Sequence, residues 1–374
     1  MSRIVIVGGG FAGAFAAKTL MRSEPSLTVT LVDRRESHES LPLLPDILGR
    51  SLRADLIRYP LGELAERHGF RFHHGAALSV DPAERRLKVG TESLEYDYLL
   101  LAPGSQTNLR QFSDRRDWLH TLDSVDDAVR LRRELDVGKA NPVIVAGGSY
   151  TGVETATHAR RFLREHGKEP PIYLLNRGPR TCRSLPETFS AYIERELARQ
   201  NIQVLSHCIV EEAQPHRVVL STGECFDDAP LLVWTAGVQP PPFVQELPFP
   251  HSADGRLLVA SDLRVEERVF VAGDAAYFLH NGEALRMGVQ FAIGQGVSAA
   301  RNILRLLSGK RSRPYRPVDL GYVVPMGHFR GCGVAIGVPM KGRKAMLLHY
   351  TMCLYRSLGW ANRYHLLKEL LIGR

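Results

Sequence analysis

Apolar residues in this chain gather in short unbroken runs that stop at glycine and then give way to longer stretches with helical spacing. The first run, Ile4-Val5-Ile6-Val7, leads into Gly8-Gly9-Gly10-Phe11-Ala12-Gly13 and then Ala14-Phe15-Ala16-Ala17-Lys18. A short apolar run closed by a glycine cluster predicts a buried strand, and the stretch beyond it predicts a helix. Leu27 to Val32 predicts the next strand, which ends in Asp33. A Pro-punctuated loop follows from Ser37 to Pro45, then a helix that includes Pro60 to Leu64. Residues 70–75, 77–80, 86–89 and 93–96 are separated by turns and predict a β-meander crossing over the sheet. Tyr98 to Leu101 predicts a buried strand ending in the turn Ala102-Pro103-Gly104-Ser105.

The opening pattern returns about 140 residues later, as Val143-Ile144-Val145-Ala146-Gly147-Gly148-Ser149-Tyr150-Thr151-Gly152-Val153-Glu154, with Ile172 to Leu175 as its second strand. This internal repeat fixes the fold class as α/β with two similar units. Leu231 to Val238, containing Gly237, closes the second unit, and Pro240-Pro241-Pro242 marks a boundary. Arg268 to Val271 predicts another buried strand, ending in Ala272-Gly273-Asp274. A helix from about Met287 to Leu307 carries small residues on one face (Ala292, Gly296, Ala299, Ala300), which suits close approach of its backbone to a flat ring.

The glycines change this picture from architecture to chemistry. Gly8 permits a tight turn, Gly10 leaves room for a pyrophosphate against the backbone, and Gly13 lets helix and strand pack closely. The helix start offers unpaired N–H groups and the positive end of the dipole to an anion. Asp33, 20 residues beyond Gly13, is placed to bind the ribose hydroxyls of an adenosine; the plainer alternative is that it caps a loop. Two such units in one chain suggest one nucleotide reducing another.

Composition narrows the class. With 374 residues, 44% apolar and 24% charged, the chain reads as a soluble globular protein of two or three domains. The first strand begins almost at once, leaving no room for a signal peptide, and no apolar run reaches the ~18 residues of a membrane span. The expectation is a cytoplasmic protein. Five cysteines, scattered and without a C-x-x-C pair, predict reduced thiols, and fourteen histidines without ligand spacing predict no metal. Net charge is +8, of which residues 339–374 alone carry +6. There the cationic residues interleave with Leu347, Tyr355, Trp360, Tyr364 and Leu370, which predicts a helix lying in a membrane surface. The alternative is an amphipathic helix packed on the protein's own core. Basic residues alternating with leucines, rather than forming a polar stripe, argue against nucleic acid.

With these residues the chain resembles the two-dinucleotide-binding-domain flavoproteins, and among them the type II NADH dehydrogenases, which are single-subunit NAD(P)H:quinone oxidoreductases. The resemblance runs through Gly8 to Gly13, Pro42-Leu43-Leu44, Leu101 to Ser105, Thr151-Gly152-Val153-Glu154, Val233 to Val238, Ala272 to Ala276 and Val289-Gln290-Phe291-Ala292. It implies two Rossmann-like domains and a C-terminal amphipathic helical region for membrane association. Residues 1–110 with 239–320 would bind FAD, 111–238 would bind NADH or NADPH, and 321–374 would meet the membrane. The FAD contacts it implies fall on Gly8, Gly10, Phe11, Ala12, Gly13, Asp33, Arg34, Ala77, Ala102, Gly104, Gly273, Asp274 and Gln290. For the second nucleotide they fall on Gly147, Ser149, Tyr150, Thr151, Gly152, Asn176, Arg177 and Gly237. Glu154 matches a family carboxylate near the meeting point of flavin, nicotinamide and quinone, against the alternative of a capping or packing role. Gln290 lies at a helix start aimed at the flavin ring, and Lys344 helps at the quinone end or binds lipid phosphate.

Three positions depart from the family pattern. Ser149 replaces a glycine, Asn176-Arg177 replaces an acid and points toward a 2′-phosphate or weak discrimination, and Gly294 stands where quinone-reducing members often carry glutamine. The expected reaction is hydride transfer from NAD(P)H to FAD, then two-electron reduction of a quinone without proton pumping, on the inner face of the cell membrane. A homodimer through the C-terminal region is compatible with this. Other readings are a sulfide:quinone oxidoreductase, for which no cysteine lies at the second glycine loop or the Gly104 turn, a reductase of a soluble acceptor, and a nucleotide-sensing flavin-binding protein with vestigial activity.

Overall fold

A computed structural model describes residues 2–112, 114, 118–138, 141–228 and 230–372. Gly373 and Arg374, the end of the expected C-terminal region, lie outside the described residues. The chain divides into two compact units. The first comprises Met1–His38, Tyr59–Gln106 and Gln239–Asp319, and the second Glu39–Arg58, Thr107–Val238 and Leu320–Arg374. Residues 39–58, 107–110 and 320–374 thus fall in the second unit. The reason is a shared core, in which Leu43, Leu44, Ile47 and Leu48 pack with Val153, Ala156, Met346, Tyr350, Cys353 and Leu366.

The first unit is built on a six-stranded sheet ordered Arg264–Glu266, Val269–Val271, Tyr98–Leu101, Arg3–Val7, Thr28–Asp33, Arg71–His74. All neighbours are parallel except the outermost pair, 264–266 with 269–271. Strands buried on both faces read as continuous apolar runs, which is why 4–7 and 98–101 were legible. The expected meander is smaller than its sequence pattern. Residues 71–74 join the parallel sheet, and only Ala77–Asp81, Arg86–Val89 and Glu92–Glu95 form the antiparallel layer. The Phe11–Ser23 and Val289–Leu307 helices pack on each other so closely that a Cβ at Gly296 would stand 2.1 Å from the Ala12 carbonyl oxygen. The small face of the second helix is thus partly spent on the first helix: Ala299 and Ala300 are fully buried, and Ala292 alone of the four stays partly open.

The second unit carries a four-stranded parallel sheet, ordered Ile202–Ser206, Ile172–Asn176, Val143–Ala146, Leu231–Trp234. The Tyr150–Glu165 helix is almost wholly buried, because the short Leu44–Gly49 helix lies on it: a Cβ at Gly49 would meet His158 Cδ2 at 2.7 Å. A three-stranded antiparallel sheet, Gly321–Met326, Arg330–Ala335 and Val338–Lys341, precedes two final helices, Arg343–Arg356 and Trp360–Ile372. The single C-terminal helical stretch expected from the sequence is broken at Ser357-Leu358-Gly359, where Gly359 takes φ +78°.

Candidate dinucleotide sites

In the first unit the Arg3–Val7 strand ends at Gly8, which has φ +102° and whose missing Cβ would lie 2.1 Å from the Ala102 carbonyl oxygen. Gly13 closes on the same turn, with Cβ space only 1.9 Å from the Gly8 carbonyl oxygen. Gly10 is the opposite case, for nothing stands within 4 Å of where its Cβ would be. It caps the Phe11–Ser23 helix without a side-chain bond, and the first turn holds no acid, so the helix start offers its N–H groups to an anion. Two glycines required by packing and one required by open space are what a bound pyrophosphate needs.

Gly9, between them, is held at both polar atoms. Its N–H donates to Asp33 Oδ2 at 2.5 Å, and its carbonyl accepts from His38 Nδ1 at 2.9 Å. Asp33 Oδ1 accepts the Arg35 N–H at 2.7 Å. Asp33 therefore caps the loop, and each carboxylate oxygen retains a lone pair beyond its backbone bond. His38 was not singled out from sequence. It is buried, stands edge-on to Phe11 at 4.8 Å, and burial lowers its pKa, so a neutral ring donates from Nδ1. Nothing in a lone histidine of a loop announces that its ring will hold a glycine carbonyl 29 residues away.

Asp274 follows the Val269–Val271 strand. Its Oδ2 accepts the Ser105 hydroxyl at 2.8 Å, and burial raises its pKa. Gly273 N–H donates to Gln295 Oε1 at 2.7 Å, which fixes the turn that presents Asp274. Gly104 takes φ +74° beside open space, Ala102 is buried, Ala77 opens the antiparallel layer, and Arg34 is exposed with its carbonyl accepting from His74 Nε2 at 3.0 Å. Gln290, at the start of the Val289–Leu307 helix, donates from Nε2 to Asp319 Oδ1 at 3.0 Å, an oxygen that Arg286 also reaches at 2.7 Å.

The second unit repeats the first loop in detail. Gly152 closes on Gly147, with Cβ space 1.7 Å from the Gly147 carbonyl oxygen, as Gly13 closes on Gly8. Ser149 caps the Tyr150–Glu165 helix without a side-chain bond and is exposed, so its hydroxyl stands clear of the helix N–H groups. Tyr150 stacks on Tyr322 at 6.1 Å, Thr151 is exposed, and Gly237 takes φ +95° with its carbonyl accepting the Asn108 N–H at 3.0 Å. Asn176 bonds differently from Asp33. It is buried, packs on Gly148, and donates its amide to the Gly178 carbonyl at 2.8 Å, whereas Arg177 is exposed. The second-strand residue touches the middle glycine of the loop in both units.

Glu154 sits one turn into the Tyr150–Glu165 helix. Burial pushes its carboxyl well above the usual range, and the negative charge of Asp46 adds to this. Beneath it, His158 Nδ1 donates to the Glu154 carbonyl at 2.8 Å, and His158 Nε2 lies 4.0 Å from Asp46 Oδ1. Asp46 accepts the Tyr350 hydroxyl at 2.7 Å, and Arg50, 3.9 Å away, lies over the Tyr350 ring. The C-terminal helix Arg343–Arg356 is thereby tied to the element under Glu154. Lys344 is exposed near its start. Among the described residues no group of three or more His, Cys, Asp or Glu side chains could hold a metal.

The duplicated loops agree with the comparisons. Residues 2–298 match the model of the pyridine nucleotide-disulphide oxidoreductase family. The chain belongs to that family. It is an oxidoreductase that depends on FAD and a pyridine nucleotide, and the open space at Gly10 with its uncapped helix start fits the former. The chain is 28% identical to the demethylphylloquinone reductase NdbB of a Synechocystis species, over 96% of this chain and 93% of that one. It is 27% identical to the type II NADH:quinone oxidoreductase of Haemophilus influenzae, over 89% and 87%. The structure of NDH2 from Plasmodium falciparum in complex with NADH shares the fold with a TM-score of 0.88 at 16% identity, covering 99% of this chain and 97% of that one.

Proposed function

We propose that this protein is a type II NAD(P)H:quinone oxidoreductase acting at a membrane surface. The observation that carries the reading is two dinucleotide-type loops in a chain with no thiol poised as a thiolate. All five cysteines have their pKa raised, with loss of hydration the leading cause in each, and Cys332 is pushed up to about 12. A thiolate is the reactive form, so the raised thiols weigh against disulphide or sulfide chemistry and favour another acceptor. The names of the relatives support a quinone as that acceptor.

In this reading the first unit holds FAD, with pyrophosphate on the Phe11–Ser23 helix start and the face of Gly8, Gly10, Ala12 and Gly13. Asp33 takes the adenosine ribose, and Asp274 with Ser105 takes the ribityl hydroxyls. Arg34, Ala77, Ala102, Gly104 and Gly273 line the same end of the sheet. FAD supplies the two-electron chemistry when bound. The start of the Val289–Leu307 helix, with no acid in its first turn, favours negative charge, and Gln290 is anchored there by Asp319. The second unit takes the pyridine nucleotide at Gly147, Ser149, Tyr150, Thr151, Gly152 and Gly237. Because the Asn176 amide is committed to backbone, discrimination of a 2′-phosphate rests on Arg177. Burial that raises the Glu154 pKa favours its protonated form, the form a proton donor needs.

No helix among the described residues is long and apolar enough to cross a membrane. Attachment instead uses the last two helices. Leu347, Tyr355, Trp360, Tyr364, Leu367 and Leu371 are exposed there beside the cations Arg343, Lys344 and Lys368. Acidic headgroups on the cytoplasmic face of a membrane suit that surface.

Anaerobic stopped-flow mixing of the holoprotein with NADH, then NADPH, then a short-chain quinone tests the reading. Bleaching of flavin absorbance by a pyridine nucleotide and its recovery on quinone is the expected result, with Arg177→Ala weakening NADPH more than NADH. Bleaching without recovery would point to a soluble acceptor, and no bleaching at all to a nucleotide-sensing protein.

A further inference from the structure

Gly294 follows Gln290 by four residues on the Val289–Leu307 helix, and so lies on the same face. A Cβ at Gly294 would stand 2.9 Å from the Tyr315 hydroxyl oxygen, which means that the phenol occupies the space a side chain at 294 would fill. Tyr315 is fixed from behind. Its N–H donates to the Ser261 carbonyl at 2.8 Å, and its ring meets Phe278 edge-on at 5.3 Å. The ring is buried, yet burial alone raises its pKa, to about 12, with no hydrogen bond or charge contributing. The hydroxyl therefore keeps its proton throughout the physiological range. Around it the helix start remains partly open at Gly288, Gln290, Ala292 and Gly294. The hydroxyl thus lies at the edge of a partly open helix start, where an incoming ligand can meet it.

We propose that Tyr315 determines acceptor specificity: its hydroxyl, presented through the gap at Gly294 beside Gln290, donates a hydrogen bond to a carbonyl oxygen of the electron acceptor. The phenol thus does from a neighbouring segment what a longer polar side chain on the helix would do. Gly294 is then not a lost contact but the clearance this arrangement needs. The inference rests on the quinone-reducing reading, and its test separates the two.

The oxidised holoprotein is titrated with menadione by flavin fluorescence, for the native chain, Tyr315→Phe and Gly294→Ala. Tyr315→Phe keeps the ring against Phe278 and removes only the donor, so its menadione Kd should rise roughly three- to tenfold, the worth of one neutral hydrogen bond. Gly294→Ala displaces the hydroxyl and should do the same. Flavin content, bleaching by pyridine nucleotide, and turnover with ferricyanide, which has no carbonyl, should not change. An unchanged Kd in Tyr315→Phe, or a parallel loss with ferricyanide, overturns the role of Tyr315 while leaving quinone reduction standing if menadione reoxidises the native flavin. A weaker Kd in Tyr315→Phe without reoxidation of the native flavin overturns the quinone reading and, with it, the acceptor role of Tyr315. No menadione binding by the native protein overturns both.

Discussion

Glu154 and His349 titrate in opposite senses within the second unit, and each ties stability to pH. For Glu154, burial first and Asp46 second raise the folded pKa, so the native state binds the extra proton. Its contribution is complete below the unfolded carboxyl value of about 4.3 and is lost as pH rises through the folded pKa. For His349, burial lowers the pKa to about 4, with His158 and Arg356 assisting and Asp46 opposing. Its contribution is present above pH ~6.5 and is lost as pH falls toward 4, on the order of 3 kcal/mol for that interval. Urea unfolding across pH 4 to 9 should therefore show two limbs. Glu154→Gln should flatten the alkaline one and His349→Gln the acid one. Slopes identical to the native protein in both variants would show that neither group changes protonation on folding. The family motif singles out Glu154, but nothing local in the sequence announces the Asp46 charge that acts on it.

The elements divide by the range of the interactions that make them. The strand-glycine-helix units at 3–23 and 143–165 were readable because apolar runs and glycine spacing are local signals. The Tyr350–Asp46 hydrogen bond joins residues 304 apart in sequence and has no period to betray it. The small face of the Val289–Leu307 helix was legible as small, but its packing on Ala12 was not, since close approach to a helix and to a flat ring ask for the same residues. Asn176 stands in sequence where an acid would hold a ribose, and its bond to the Gly178 carbonyl had no local signal to announce it. The tie between the Arg343–Arg356 and Leu44–Gly49 helices is the part most open to measurement. Tyr350→Phe leaves the ring in place and deprives the buried Asp46 of its hydroxyl donor, which should destabilise the protein by about 1–3 kcal/mol. Denaturant unfolding checks this, and a change below about 0.5 kcal/mol, the scatter of surface substitutions, would mean that Arg50 satisfies Asp46 alone.

At the scale of the whole molecule, the C-terminal region presents two faces, one packed on the core as the core-packed alternative expected and one exposed, which the proposed function sets against a membrane. Leu366 is fully buried and Leu370 packs on the core, while Trp360, Tyr364, Leu367 and Leu371 recur at helical spacing with 74%, 65%, 42% and 76% exposure. Deleting residues 340–374 would strip Met346, Tyr350, Cys353 and Leu366 from that core, so lost liposome binding would report unfolding rather than detachment. Polar substitution of the outer stripe alone, Trp360→Ser with Tyr364→Ser, Leu367→Gln and Leu371→Gln, spares the inner face. Burying each outer side chain in a bilayer is worth about 1–2 kcal/mol. The variant should therefore fail to float with vesicles of phosphatidylglycerol and phosphatidylcholine, keeping its flavin and its unfolding midpoint. Neutral vesicles should bind the native protein more weakly, because each cation near an anionic surface contributes about 1 kcal/mol. Continued flotation of the variant would remove this stripe from the membrane, and a native dimer that the variant dissociates would assign it to a second copy of the chain.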